Sequence, residues 1–250
     1  MQFGWRYYFH LRGDALMSRK ISLLVLLVLV AGIKTHAQTI SPVIVEYQGK
    51  ASGRFQVMND SDVPLAVVLQ PESFKVDSQG QPTYFPLDPN VHLELSTTSF
   101  RLAAHQTYIV FYKASAASLP AWFTIYATIT GKRTTQGLEL AIHLPHTVYL
   151  LGKKPLESSA VVWDKVSFQA AESKIEGQVS NVGSDYGRVV DVLVTDASGK
   201  KEQFTGFPLF PGQHRHFEFP WKGPAVPQSV ELKFQHFASD SPIQLLSAAK

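Results

Sequence analysis

Gly137-Leu-Glu-Leu-Ala-Ile-His-Leu-Pro-His-Thr-Val-Tyr-Leu-Leu151 decides the fold of this 250-residue chain. Leu138, Leu140, Ile142 and Leu144 recur at every second position, with Glu139, Ala141 and His143 between them. Successive side chains of a strand point to opposite faces, so this spacing predicts a β-strand with one aliphatic face. Two readings follow. The strand closes the core of a β-sandwich, or it lies at a sheet edge and lends its aliphatic row to a partner chain.

The same pattern fills the sequence upstream. Val43, Val45 and Tyr47 alternate, as do Phe55 and Val57. Asn59-Asp-Ser-Asp62 is a turn cluster whose side chains bond their own backbone. Leu65–Leu69, Val91–Leu95, Tyr108–Tyr112 and Trp122–Ile129 read as further strands, with a Gly- and Pro-punctuated stretch at 77–90. About seven or eight short strands in about 110 residues, separated by turn signals, predict an immunoglobulin-like sandwich. Lys153-Lys-Pro155 reads as a hinge, because Pro155 cannot donate to a ladder. Strands restart at Val161–Trp163, Lys174–Val179, Arg188–Thr195, His214–Phe219 and Val230–Phe234. The prediction is all-β: two immunoglobulin-like β-sandwich domains in tandem, at 38–153 and 154–237, with 238–250 as a flexible tail. No helix of ordinary length is expected beyond the N-terminal segment.

That segment reads as a secretory signal. Arg19 and Lys20 precede an apolar run from Ile21 to Ile33, and Thr35-His-Ala37 ends in a small residue before Gln38. The run is shorter than the about 20 apolar residues that span a bilayer. Met17 is an alternative start, which would leave 1–16 upstream of the protein, and 1–37 is set aside as signal peptide. The net charge of +3 also belongs to this segment. Five of the 23 Lys and Arg and one of the 20 Asp and Glu lie within 1–37, leaving 18 against 19 and a net charge of −1. A nucleic-acid partner loses its electrostatic support, and none is expected. After signal removal no membrane segment remains. With no cysteine, disulfides, thiolate nucleophiles and cysteine metal sites are excluded.

Little chemistry of other kinds is visible. His214 and His216 share a strand face, but the sequence points to no third ligand, so no metal is expected. His143 and His146 have opposite parity on a strand, and all four read as surface or edge histidines. No Gly-x-Ser-x-Gly turn and no Gly-rich loop before a helix occurs, so an enzyme is not expected and no cofactor is called for. Arg188 reads as a solvated strand charge, with a place facing the interdomain cleft as the alternative. Trp122 and Trp163 read as core.

The order of these features resembles the periplasmic chaperones of pilus assembly. Phe55-Gln-Val-Met-Asn59 followed by Pro64 resembles the family's second strand and its Asn-ended turn. Leu95-Ser-Thr-Thr-Ser-Phe-Arg-Leu102, Leu119-Pro120 before Trp122-Phe-Thr-Ile, and Gly137–Leu151 resemble its corner, its Leu-Pro loop with aromatic strand, and the last strand of its first domain. Val179-Ser-Asn181, Val194–Gly199 and Leu209-Phe-Pro-Gly212 with Arg215 resemble family stretches more weakly. The resemblance implies two domains joined in an L, a periplasmic location, and donation of Leu138, Leu140, Ile142 and Leu144 to pilin-like or other secreted subunits, with an outer-membrane usher as a further partner. The alternative is an exported structural or adhesive sandwich module without chaperone activity.

Departures are visible too. Family members anchor the subunit's terminal carboxylate in the interdomain cleft with an Arg and a Lys. Those positions fall near Ile44 and Tyr149 here, neither a cation, which leaves Lys153 or Lys154 as substitutes. Thr98-Ser99 replaces the corner's two prolines, and the Asp-Arg-Glu segment expected before Trp122 is missing. Pro145 interrupts the donor strand and predicts a bulge or a shortened edge there.

Overall fold

Residues 38–133 and 139–246 are described by the computed structural model; the expected signal, 1–37, lies outside them. The described chain is all-β, with one 3-10 turn at Ser158–Ala160 and no α-helix. None of its helices is long and apolar enough to cross a membrane.

Ten strands build the first sandwich: β1 (Gln38–Ser41), β2 (Ile44–Gln48), β3 (Ala51–Asn59), β4 (Leu65–Val76), β5 (Pro82–Pro86), β6 (Val91–Leu95), β7 (Ser99–Leu102), β8 (Thr107–Ala116), β9 (Ala121–Arg133) and β10 (Glu139–Leu151). One sheet has the order β1-β3-β8-β6; the other has β2-β10-β9-β4-β5, with β7 also on β4. The N-terminal stretch thus changes sheets between Ser41 and Ile44. Alternation in β3 and β4 buries Phe55, Val57, Leu65, Val67 and Leu69, which meet Val110, Phe123, Ile125, Ile129, Val148 and Leu150 in one core.

Two elements exceed the sequence expectation. β4 runs through Pro71 to Val76, and β5 forms inside the punctuated 77–90 stretch. Leu69 N–H donates to Thr98, so the absent Pro71 N–H, two residues on, points to the same side. That side is a gap between β7, which pairs with 65–68, and β5, which pairs with 72–76, so the proline interrupts no ladder bond.

Nine strands build the second sandwich: β11 (Val161–Gln169), β12 (Lys174–Asn181), β13 (Gly187–Asp196), β14 (Lys201–Thr205), β15 (Pro208–Leu209), β16 (His214–Pro220), β17 (Pro227–Phe234), β18 (Ala238–Pro242) and β19 (Gln244–Leu246). Its sheets are β16-β12-β11-β19 and β14-β13-β17-β18, with β15 on β13. Val166, Ile175, Val179, Val192, Val194, Leu209, Phe217, Trp221 and Leu232 form its core, with Trp163 packed against it. Residues 238–246 are therefore strand and not the loose tail the sequence suggested. β18 pairs with β17 and β19 with β11, and Ser239 accepts the Trp163 indole N–H at 2.8 Å.

The two sandwiches use the same corner device. Asn59 ends β3 and Asn181 ends β12, both buried. The Asn59 amide donates to the carbonyls of Val63 and Ala103, both at 2.9 Å, while its oxygen accepts Ser61 N–H at 3.0 Å. The Asn181 amide donates to the Asp185 carbonyl at 2.7 Å and its oxygen accepts Gly183 N–H at 2.9 Å. Each side chain replaces ladder partners that the turning backbone loses.

Where the sandwiches meet, Phe74, Tyr149, Tyr186 and Phe210 form a separate buried cluster, with Val76, Trp122 and Leu151 packed around it. Trp122 stands 4.6 Å from Phe210, and its indole N–H donates to the Phe74 carbonyl at 2.8 Å. The turn after β4 reaches the second sandwich as well. His216 N–H donates to the Ser78 carbonyl at 2.8 Å, and the Gln213 amide donates to the carbonyls of Val76 and Asp77 at 3.2 and 3.0 Å.

Candidate functional site

β10 is paired unequally along its length. Against β9 it runs antiparallel from Glu139 to Leu150. Against β2 it runs parallel only from Thr147 to Leu151, because the chain upstream of Ile44 crosses to the other sheet. Among the described residues, 140–146 therefore have a strand on one side only, and form an open edge. Leu140 is 42% exposed, while Ile142 and Leu144 are half-buried against the first core. Leu138, expected in the same row, lies outside the described residues.

Pro145 makes no bulge. Leu144, Pro145 and His146 face Ala127, Tyr126 and Ile125 in unbroken register. The irregularity comes earlier and on the other strand. Leu140 faces Lys132 and Ile142 faces Ile129, so β9 carries one extra residue there, at Gly131 with φ +105°. The proline does thin the edge, as the sequence suggested. Thr147 N–H donates to Val43 at 2.7 Å and the Leu151 carbonyl accepts Gly49 N–H at 3.0 Å. Odd-numbered residues thus turn their backbone groups to the open side. On that side His143 has both an N–H and a carbonyl, and Pro145 has a carbonyl alone.

His146 overturns the surface reading. It is fully buried, stacked on Phe55 at 4.7 Å. Nδ1 lies 2.7 Å from the Pro42 carbonyl oxygen, and Nε2 lies 3.1 Å from the Tyr112 hydroxyl, itself 3.2 Å from the Tyr47 hydroxyl. Its parity, shared with Leu144 and Val148, was the signal that places it inward. His143, by contrast, is exposed, with Nδ1 3.1 Å from the Thr128 hydroxyl.

The four cleft candidates separate. Ile44 is 46% exposed at the start of β2. Tyr149 is buried in the aromatic joint, 4.8 Å from Tyr186. Lys153 is exposed. Lys154 lines a cavity of about 70 Å³ at the joint, with Glu46, Pro155, Tyr186, Arg188 and Phe234. The cation at the centre of this cleft is Arg188, so its reading as a solvated charge is corrected. Its Nε donates to Glu46 Oε1 at 2.6 Å, and the guanidinium lies 5.5 Å from the Tyr149 ring centre. Both side chains are about seven-tenths buried (30% and 26% exposed). No local sequence signal marks Arg188, because parity along β13 does not say which end of the strand abuts the other sandwich.

On the second sandwich the histidine pair divides. His214 Nδ1 lies 2.7 Å from the Ser180 hydroxyl. His216 meets two carboxylates, Glu218 two residues along the same strand at 3.2 Å and Glu176 of β12 at 3.9 Å. Those three are the metal-type cluster found among the described residues. Lys174 Nζ lies 3.5 Å from each of the two carboxylates and supplies their counter-charge.

No family model matches the sequence, and no curated protein is similar to it in sequence. Solved structures are similar in fold. The class 5 fimbrial chaperone CfaA superposes with a TM-score of 0.50 at 13% identity, covering 84% of this chain and 100% of its own. The chaperone YadV gives a TM-score of 0.50 at 16% identity, covering 82% and 98%. A chain from a chaperone–tip adhesin complex of CFA/I fimbriae gives 0.50 at 12% identity, covering 83% and 98%. With its two tandem sandwiches and crossing N-terminal stretch, the chain has the all-β fold of the fimbrial chaperones.

Proposed function

We propose that this chain is a periplasmic chaperone of fimbrial-type subunits that holds its client by strand addition along residues 140–146. The single observation that carries this reading is the one-sided pairing of β10, with an aliphatic row at its open edge. In this reading the client is a secreted, strand-deficient β-subunit, an outer-membrane usher receives it, and 1–37 is the export signal. No catalytic step is involved.

The energetics shape the proposal. Fully burying one Leu or Ile contributes about 1.5–3 kcal/mol. Ile142 and Leu144 are already half-buried in the free chain and Leu140 is less than half exposed, so the three offer about 2–5 kcal/mol gross. Ladder hydrogen bonds must contribute a comparable share, and the missing Pro145 N–H removes one of them. In the cleft Arg188 already gives its Nε to Glu46 and has an unpartnered Nη2 left to offer, so a client carboxylate would meet Glu46 there and be held weakly. Client register is then set by the side-chain row and by Pro145.

The test is a pull-down from periplasmic extract with residues 38–250 beside a Leu140→Asp, Ile142→Asp variant whose folding has been verified by circular dichroism. The expected result is a small β-rich subunit held by the parent chain and lost with the variant. Capture of the same partners by both, or of none by either, would leave a structural or adhesive module on a chaperone fold.

A further inference from the structure

Next to the open edge lies a polar chain inside an otherwise apolar core. A backbone carbonyl only accepts, so His146 Nδ1 must carry a proton toward Pro42, while the Tyr112 hydroxyl beside Nε2 gives its own proton to Tyr47. Pro42 sits in the crossover between β1 and β2, at the point where the N-terminal stretch leaves β10 for the other sheet. The Pro42 bond therefore fixes where the edge stops being covered. Continuing the β2–β10 register from Ile44 opposite Thr147 would set Pro42 opposite Pro145, where neither residue has an N–H to give. The stretch is thus tied to the ring of His146 at the place where it cannot be tied by a ladder.

The groups around the ring are neutral. Tyr47 of β2, Phe55 of β3 and Tyr112 of β8 contact it or its hydroxyl partner, and Ile125 of β9 stands opposite. The charged residues of β2, β3 and β8 are engaged or point elsewhere: Glu46 is held by Arg188, and Arg54 and Lys113 are exposed. If the ring takes a second proton, the Tyr112 oxygen can accept the new N–H, but among the described residues the charge has no counter-ion. Burial accordingly holds the His146 pKa below its usual value, against the Pro42 bond, which favours the charged form.

We propose that His146 is a positioning residue for strand capture: in neutral form it pins the crossover at Pro42 and keeps 140–146 open, and acid releases it. This rests on the strand-addition reading of that edge. The sign is fixed by linkage. The unfolded or released chain takes up the proton near the ordinary value of about 6.5, the pinned state only at lower pH, so the tie is at full strength above about pH 6.5 and weakens as pH falls below it.

Site-resolved amide exchange on the full exported chain tests this, with protection factors corrected for intrinsic rates. The reporter is the Thr147 amide, bonded to Val43 one residue from Pro42. Between about pH 7.5 and about pH 5.5 its protection should fall about tenfold in the parent chain, with no change in His146→Gln, whose amide keeps both bonds and does not titrate. A flat parent profile, or a His146→Gln profile that follows the parent, overturns the proposal. Client capture at the two pH values forms a second arm: loss at the lower pH in the parent and retention in His146→Gln supports coupling to the edge, and equal capture by both overturns it. If the amide responds to acid but nothing is captured at either pH, the strand-addition reading fails while the histidine tie stands.

Discussion

Arg188 and Glu46 make one bond between the sandwiches, and its worth follows from its surroundings. A hydrogen bond between charged groups contributes about 1.5–3 kcal/mol, reduced here because each side chain keeps about a quarter to a third of its surface in water. Arg188 also lies over the Tyr149 ring, so its stem and plane pack as well as pair. Arg188→Met is therefore expected to cost about 1–2 kcal/mol and Glu46→Gln about 1 kcal/mol, with a coupling of about 1 kcal/mol in a double-mutant cycle read by urea denaturation. Additive single effects would show that the two side chains act independently. The residues at this scale that the sequence left hidden share one cause. Arg188 meets Glu46, and His216 meets Glu176, from other strands, and strand periodicity speaks only of faces. His146 was legible, since it falls on the same face as Ile142, Leu144 and Val148; only the habit of reading histidine as surface concealed it.

Strand β10 was plain in its period of two, but its openness was not. Openness depends on where β2 stops, and β2 stops at a crossover whose tie, the Pro42–His146 bond, spans 104 residues of chain. The bulge was equally out of sight, since the extra residue sits on β9 and not at Pro145. Gly131 makes that bulge with φ +105°, and a Cβ placed there would come no closer than 3.4 Å to the Pro64 carbonyl. Space is available, so the cost of Gly131→Ala is backbone strain alone, about 1–3 kcal/mol. Relief of that strain shifts the register that sets Leu140 opposite Lys132 of β9. Client retention should therefore drop more than an exposed substitution of equal stability cost, such as one in the 196–200 turn, would produce. Equal retention for the two variants would detach the bulge from binding. β18 and β19 escaped notice for a different reason: Ser239, Asp240 and Ser241 carry little hydrophobic alternation, and pairing with β17 orders them.

At the scale of the molecule, two sandwich cores are coupled by a third, aromatic one. Phe210 of the second sandwich touches Phe74, Trp122 and Tyr149 of the first and Tyr186 of its own, at centroid distances from 4.6 to 6.3 Å. Each such pair adds about 0.5–1.5 kcal/mol beyond area burial, so Phe210→Ala should cost about 3–5 kcal/mol, most of it at the joint. The expected calorimetric trace is a single cooperative transition for the parent and two separated transitions for the variant. One transition in the variant would assign the coupling to the Gln213 and His216 bonds of the 76–78 turn instead. The tandem-sandwich architecture was readable from strand spacing and the Lys153-Lys-Pro155 break. The joint was not, because Phe74, Tyr149, Tyr186 and Phe210 each look like ordinary core residues of their own strands.

The central claim is that residues 140–146 receive an added strand, and the His143 amide reports on it most directly. It points to the open side and is the last N–H there before Pro145. Its exchange would be measured in free residues 38–250 and in the complex with the captured subunit. Fast exchange in the free chain, slowed about a hundredfold or more in the complex, is the predicted result, because a strand added to this edge bonds that N–H in its ladder. A tight complex in which the His143 amide still exchanges as in the free chain would contradict the account and move the client to another face.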